Sequence, residues 1–220
     1  MPQREADLTI LAATDDYAVV DKPPGLLSVP GKGPDKQDCV PARVRARFPH
    51  ATGPLIVHRL DMDTSGLLVV GLNPRAQANL SLQFEQRRVF KRYIALLDGI
   101  VAHADHGEVD APLRLDVSRR PYQVFDWLHG RPALTRWGVL TFEIDRTRVS
   151  FEPLTGRTHQ LRVHAALRPP IGIGHPILGD PLYGSAKAPP VPRLMLHAAV
   201  LRFSDPSTNR EVEFTSAPGF

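Results

Sequence analysis

The apolar positions along the chain fall into short blocks divided by turn-forming residues. Residues 16–20, Asp-Tyr-Ala-Val-Val, read as a strand. Residues 56–60 and 67–72 are rich in Val, Ile and Leu and read as two more strands. Between them lies Asp61-Met62-Asp63-Thr64-Ser65-Gly66, a turn by composition. Asn73 followed by Pro74 supplies an N-cap and a first helical position. Ala76, Leu80 and Phe84 recur at four-residue spacing, which predicts a helix with a buried stripe. That helix ends in a basic run at Arg87, and residues 93–97 form the next strand. Strand-like stretches at 133–144 and 147–153 meet at Asp145-Arg146, a hairpin turn. Thr158 is placed to cap a short helix running to Leu167, and residues 194–203 return as a strand.

The breaks in the pattern matter as much as the blocks. Lys22-Pro23-Pro24-Gly25 must end the first strand, because prolines have no N–H to give to a ladder. Residues 26–34 continue as a Gly/Pro loop, 40–48 suit a short helix, and 103–131 look irregular. With strands outnumbering helices and hairpins frequent, the expected fold class is α+β, around a mixed, largely antiparallel sheet with flanking helices. The expected organisation is one domain over residues 1–220, with 1–15 as an extension ahead of the first strand.

Composition narrows the setting. Cys39 is the one cysteine, which excludes an intrachain disulfide and a thiolate-rich metal site. The longest apolar run, near residues 67–70, is far too short to span a bilayer. Residues 1–7 lack the apolar core of a secretory signal, so a cytoplasmic protein is expected, with a monomer as the default. Lys and Arg number 27 against 23 Asp and Glu, a small excess that says little by itself. Its distribution says more: Arg43, Arg45 and Arg47 form one cluster, Arg87, Arg88, Lys91 and Arg92 a second, and Arg114, Arg119 and Arg120 a third. Three such clusters favour an anionic, phosphate-bearing partner.

The segment from His58 to Gly66 holds the candidate chemistry. A carboxylate there stands at a strand end, where a rigid element positions it and a loop exposes it. A turn aspartate more often only hydrogen-bonds its own backbone, and Asp61 and Asp63 are equal candidates for that role. Ser65 lacks the Gly-x-Ser-x-Gly setting of a hydrolase nucleophile. A divalent metal on His58, Asp61 and Asp63 is poorly served, since His58 and Asp61 would face opposite ways on a continued strand.

Taken with other segments, His58-Arg59-Leu60-Asp61-x-x-Thr64-Ser65-Gly66 resembles the signature of the RluA family of pseudouridine synthases. Lys22-Pro23-Pro24-Gly25 resembles that family's first motif, and Lys91-Arg92-Tyr93 its basic-x-Tyr motif. The run from Leu154 through Gly156, Arg157, Thr158, His159, Gln160 and Arg162 to His164 resembles its third. Gly174-His175-Pro176-Ile177-Leu178-Gly179-Asp180 and Leu194-Met195-Leu196-His197-Ala198 are similar to its closing segments, in order.

The resemblance implies an RNA-modifying enzyme, with a catalytic cleft, that needs neither cofactor nor metal. It implies breakage of the uridine N1–C1′ bond, rotation of the uracil and rejoining through C5. Asp61 takes the place of the catalytic carboxylate, either adding to the sugar or removing a proton from it. Tyr93 takes that of the active-site tyrosine, which stacks on the uracil. Arg162 takes that of the arginine paired with the carboxylate, with Arg157 as the competing candidate. Arg59 is expected to help flip the target nucleotide, a step that costs a few kcal/mol of unstacking. His58 and Lys22, with Arg87, Arg88, Lys91 and Arg92, are expected on the substrate side. The implied RNA is a stem-loop of 23S ribosomal RNA, transfer RNA or both.

Overall fold

Each apolar block finds its strand partners where prolines and glycines allow the chain to turn. The computed structural model describes residues 8–220. Its chain divides into two units, Met1–Lys91 with Ala198–Gly219, and Arg92–His197 with Phe220. Two strands carry the chain across that division: β4 runs from Phe90 to Asp98 and β10 from Leu196 to Ser204.

The first unit opens with β1 (Thr9–Ala13), antiparallel to β2 (Tyr17–Lys22). The Thr14 hydroxyl closes the turn between them by accepting the Asp16 and Tyr17 N–H groups, both at 3.1 Å. β1 corrects the sequence reading, which placed the first strand at residue 16. Its side chains are no more than half-buried, so its apolar signal is weak. β2 pairs with β3 (Ser65–Gly71) in a register that sets Val19 opposite Val69 and Lys22 opposite Gly66. β10 lies on the far side of β3 and carries β11 (Glu211–Thr215) on its own outer edge. Gly66 makes this possible: a Cβ there would stand 2.4 Å from the Ala198 carbonyl oxygen, and its φ of 111° is one that side-chain-bearing residues rarely adopt.

Residues 56–60 are not a strand, contrary to expectation; only an isolated bridge joins Ile56 to Val70. β2 and β10 already occupy both edges of β3, leaving that apolar run to pack as a loop. Helix α1 spans Val40–Arg47 and helix α2 Pro74–Glu85. The Asn73 side chain caps α2 by accepting the Ala76 N–H at 2.9 Å, as the sequence predicts. Leu80, facing inward, joins Tyr17, Val19, Val69, Leu201 and Phe203 in the unit's core.

In the second unit β4 pairs with β9 (Arg146–Pro153), β9 with β8 (Leu134–Phe142), and β8 with β5 (His106–Asp110), all antiparallel. A separate hairpin joins β6 (Leu113–Leu115) to β7 (Gln123–Phe125). The stretch expected to be irregular thus holds three strands, too short and too exposed for periodicity to reveal. Helix α3 (Gln160–Ala166) starts from His159 in a left-handed conformation, φ 55°, rather than from a Thr158 cap. Ala95, Leu97, Val149, Phe151, Leu161 and Ile177 fill this core. Fully burying a side chain such as Phe151 is worth roughly 1.5–3 kcal/mol. The α+β class follows: among the described residues, three α-helices accompany strands whose described ladders are antiparallel.

Candidate active site

In the first unit the loop that carries Asp61 is gripped through its backbone. Ser28 Oγ donates to the Leu60 carbonyl at 2.7 Å and accepts the Leu60 N–H at 3.0 Å. The Met62 carbonyl accepts from the Gly25 N–H at 2.9 Å and from Lys22 Nζ at 2.8 Å. The Thr64 N–H closes on the Asp61 carbonyl at 3.1 Å. Two segments singled out separately in the sequence, the Lys-Pro-Pro-Gly loop and the aspartate loop, are therefore folded onto one another. Asp61 and Asp63 are both half-buried at the tip of this arrangement, and Arg59 beside them is exposed.

Lys22 corrects its expected role. It is fully buried, and its three ammonium protons go to the carbonyls of Pro23, Leu26 and Met62. Nothing remains on Nζ for a phosphate. Burial pushes its pKa down to about 7, against the raising influence of Asp63, Asp61 and Asp21.

His58 is likewise turned towards the scaffold. Its Nε2 accepts the Val69 N–H of β3 at 3.1 Å, which puts the ring's one proton on Nδ1. The ring stacks on Phe84 of α2, centroids 4.2 Å apart. Burial, helped by the charge of Lys91, pushes its pKa down to about 3, so it stays neutral. A ring nitrogen spent on a backbone N–H is not available to a metal. Among the described residues, no three His, Cys, Asp or Glu side chains are grouped to hold one.

In the second unit, α3 and its approach form a connected polar network. Thr155 donates to Gln160 Oε1 at 2.7 Å, and Gln160 Nε2 donates to Thr135 Oγ1 at 2.9 Å. His164 closes the chain, with Nδ1 3.0 Å from Thr135 Oγ1 and Nε2 3.1 Å from the Ala111 carbonyl. The carbonyl needs a donor, so Nε2 carries the proton and Nδ1 accepts from Thr135. Burial pushes His164 down to about 4, keeping it neutral.

Arg162, on the same helix, is also buried, 3% exposed, and not on a helix surface. Its Nε and one terminal nitrogen donate to the two oxygens of Asp180 at 2.8 and 2.7 Å. Asp180 also accepts the N–H groups of Leu182 and Tyr183. Burial alone would raise the Asp180 pKa, but Arg162 and these donors outweigh it and hold it below the usual carboxylate value. The Tyr183 ring lies under the guanidinium, 5.3 Å from centroid to carbon. Sequence reasoning quoted Asp180 within a motif but gave it no role, and passed over Tyr183 three residues later. Tyr93, half-buried on β4, sits opposite Phe151 of β9 and packs on the core. Arg157 is held by the Pro132 carbonyl, which accepts from its Nε at 2.9 Å.

Comparison with known proteins decides what this arrangement belongs to. A family model described as RNA pseudouridylate synthase matches residues 16–167. The dual-specificity RNA pseudouridine synthase RluA of Escherichia coli K12 is 42% identical over 100% of this chain and 97% of its own. Its Haemophilus influenzae counterpart is 39% identical over the same shares. The chain belongs to the RluA family of RNA pseudouridine synthases. Solved structures agree on a pseudouridylate synthase fold. Human RNA pseudouridylate synthase domain containing 1 superposes with a TM-score of 0.79 at 31% identity, covering 99% of this chain and 86% of that one. Human RNA pseudouridylate synthase domain containing 4 gives 0.74 at 26%, covering 96% and 88%.

For an RluA-family enzyme, which works on RNA, the fate of the basic clusters is informative. Arg43 is paired with Asp38, Arg92 with Glu152, Arg114 with Asp126 and Arg119 with Asp116. These ion pairs take up part of the charge that the sequence offers to phosphates. Arg45, Arg47, Arg87, Arg88 and Arg120 are exposed. Lys91 is half-buried and is pushed down to about 8 by burial and by the charge of Arg87.

Proposed function

We propose that Asp61 is the carboxylate with which this pseudouridine synthase isomerises particular uridines in stem-loops of 23S ribosomal RNA, transfer RNA or both. The observation that carries the reading is the backbone grip on the Asp61 loop by Ser28, Gly25 and Lys22. A reactive carboxylate needs a fixed position, and here the fixing groups act on Leu60 and Met62 on either side of it. The dual specificity in the name of the Escherichia coli relative supports more than one class of RNA as substrate.

The chemistry needs no redox or phosphoryl step. The N1–C1′ bond breaks, the uracil turns, C5 bonds to C1′, the proton on C5 leaves, and N1 takes up a proton in its place. Asp61 meets the electron-poor sugar, as nucleophile or as base. Tyr93 offers a ring to the uracil, and Arg162 supplies a buried, permanently charged group. Arg59 attends the flipped nucleotide. The same reading places the enzyme in the cytoplasm with its substrates; among the described residues no helix is long and apolar enough to cross a membrane.

The test sets Asp61 against Asp63, two carboxylates of one loop. Asp61→Asn keeps size and hydrogen-bonding reach but loses the anion. It should fold and bind RNA while release of tritium from C5-labelled uridine falls below detection. Asp63→Asn should retain most of its turnover. Near-normal release by a folded Asp61→Asn variant would falsify the assignment. Equal losses in both, with lowered melting temperatures, would return both residues to a turn role.

A further inference from the structure

The hairpin of β6 and β7 and the turn after it present large apolar side chains in a cationic setting. Trp127 is 63% exposed and Leu128 87%, although both closely follow Phe125, which packs against the core. The turn that displays them is built, not loose. Asp126 Oδ1 accepts the Leu128 and His129 N–H groups at 2.9 and 3.0 Å, and the Gly130 N–H returns to the Asp126 carbonyl at 3.0 Å. Arg114 Nε holds the other Asp126 oxygen. A Cβ on Gly130 would stand 2.3 Å from the Asp126 carbonyl oxygen and 2.7 Å from Pro112 C, so the closure is tight. Phe125 meets the indole edge-on at 5.0 Å and props it outward.

Beside this turn stand Arg114 and Arg131, and the loop at the other end of the hairpin, residues 116–122, adds Arg119 and Arg120; the acids of these segments are Asp116 and Asp126. Both acids are already engaged, by Arg119 and Arg114 respectively, while Arg120 and Arg131 are exposed. A rigid aromatic face beside cations is complementary to unpaired RNA, which offers base faces and phosphates together. A protein partner of ordinary chemistry would call for a broader apolar surface than two side chains. The hairpin is also tied to α3. The Gln123 N–H donates to the Tyr183 hydroxyl at 2.7 Å, and that hydroxyl lies 2.9 Å from His159 Nδ1. Tyr183 is the ring beneath Arg162.

We propose that residues 116–131 form an RNA-binding arm in which Trp127 stacks on an unpaired base of the substrate other than the target uridine. Arg131, at the same end of the hairpin, takes the neighbouring phosphate, and Arg120, in the loop at its other end, a more distant one. The arm rests on the synthase reading and adds to it a second hold on the RNA, joined through Tyr183 to the helix that carries Arg162.

The chain has only two tryptophans, and Trp137 is 8% exposed. Quenching of indole emission by acrylamide therefore reports mainly on Trp127, with Trp127→Phe as the reference. Unmodified transfer RNA made in vitro is the probe, with a fully paired RNA duplex as control. The arm predicts that transfer RNA shields Trp127 from acrylamide and that the duplex shields it much less. Trp127→Ala should weaken transfer RNA binding about ten-fold, with Trp127→Phe in between and turnover at saturating RNA little changed. Thermal melts identify any variant that fails to fold. Unshielded Trp127, or a folded Trp127→Ala variant that binds as tightly as wild type, overturns the proposal. Failure of the synthase reading has a different sign, the absence of tritium release by the wild type.

Discussion

Arg162 shows what one side chain demands of its neighbours. A buried guanidinium costs several kcal/mol unless its charge and donors are met, and Asp180 meets them with a two-point fork. Asp180→Asn keeps the shape but removes the anion that accepts two of the guanidinium's N–H groups. It should lower stability by about 3–5 kcal/mol. Because Arg162 would then lose its fixed orientation, kcat should fall by about a hundred-fold with KM little altered. Tritium-release kinetics beside urea melts check this, and an Asp180→Asn enzyme that is unstable yet fully active would limit Asp180 to the fold. The motif made Arg162 legible in the sequence; its fork with Asp180 was not, because eighteen residues and a helix end separate them. Lys22 was misjudged for a related reason. A lysine in a Pro/Gly loop reads as a surface cation, and nothing in the string shows that three carbonyls have closed on its Nζ.

At the level of elements, α2 was the most legible, since Asn73, Pro74 and the Ala76-Leu80-Phe84 stripe each predict the same helix. Its end holds a feature that the sequence states only indirectly. The Arg88 N–H reaches the Gln83 carbonyl at 2.9 Å and the Arg87 N–H reaches that of Phe84 at 3.1 Å. This is a Schellman ending, in which the left-handed position usually belongs to glycine. Here Arg87 holds it, with φ 57°. A side chain in that conformation costs roughly 1 kcal/mol, a cost a stability-optimised helix would avoid. Arg87→Gly should therefore raise stability by about 1 kcal/mol while weakening RNA binding and flattening its salt dependence. Melts and salt-titrated binding together decide it, and tighter folding with unchanged binding would leave the arginine unexplained. The elements that were missed, β1, β5, β6, β7 and β11, are three to five residues long and, apart from Val109 and Leu113, only half-buried or exposed. Strands of that kind owe their existence to a neighbour's ladder more than to their own pattern.

Over the whole molecule, the division of the chain is the least legible property, because a unit assembled from two separate stretches leaves no mark on composition or period. The first unit needs both Met1–Lys91 and Ala198–Gly219, whereas the second is one run, Arg92–His197, with Phe220 added. The core of the first shows why: Leu201 and Phe203 of β10 pack with Tyr17 and Val19 of β2. On a ribosome, residues 8–91 emerge early but have no β10 or β11 to close upon. Chains halted just beyond His197, tethered by a flexible linker, should resist limited proteolysis over 92–197 and be cut freely before residue 91. Equal protection of both stretches would show that the early strands manage alone. Contacts this distant in sequence also slow refolding. The order of manufacture is thus the reverse of the order of completion: the segment bearing Asp61 is made before the one bearing Arg162 and must wait, exposed to chaperones and proteases, until β10 and β11 have been made.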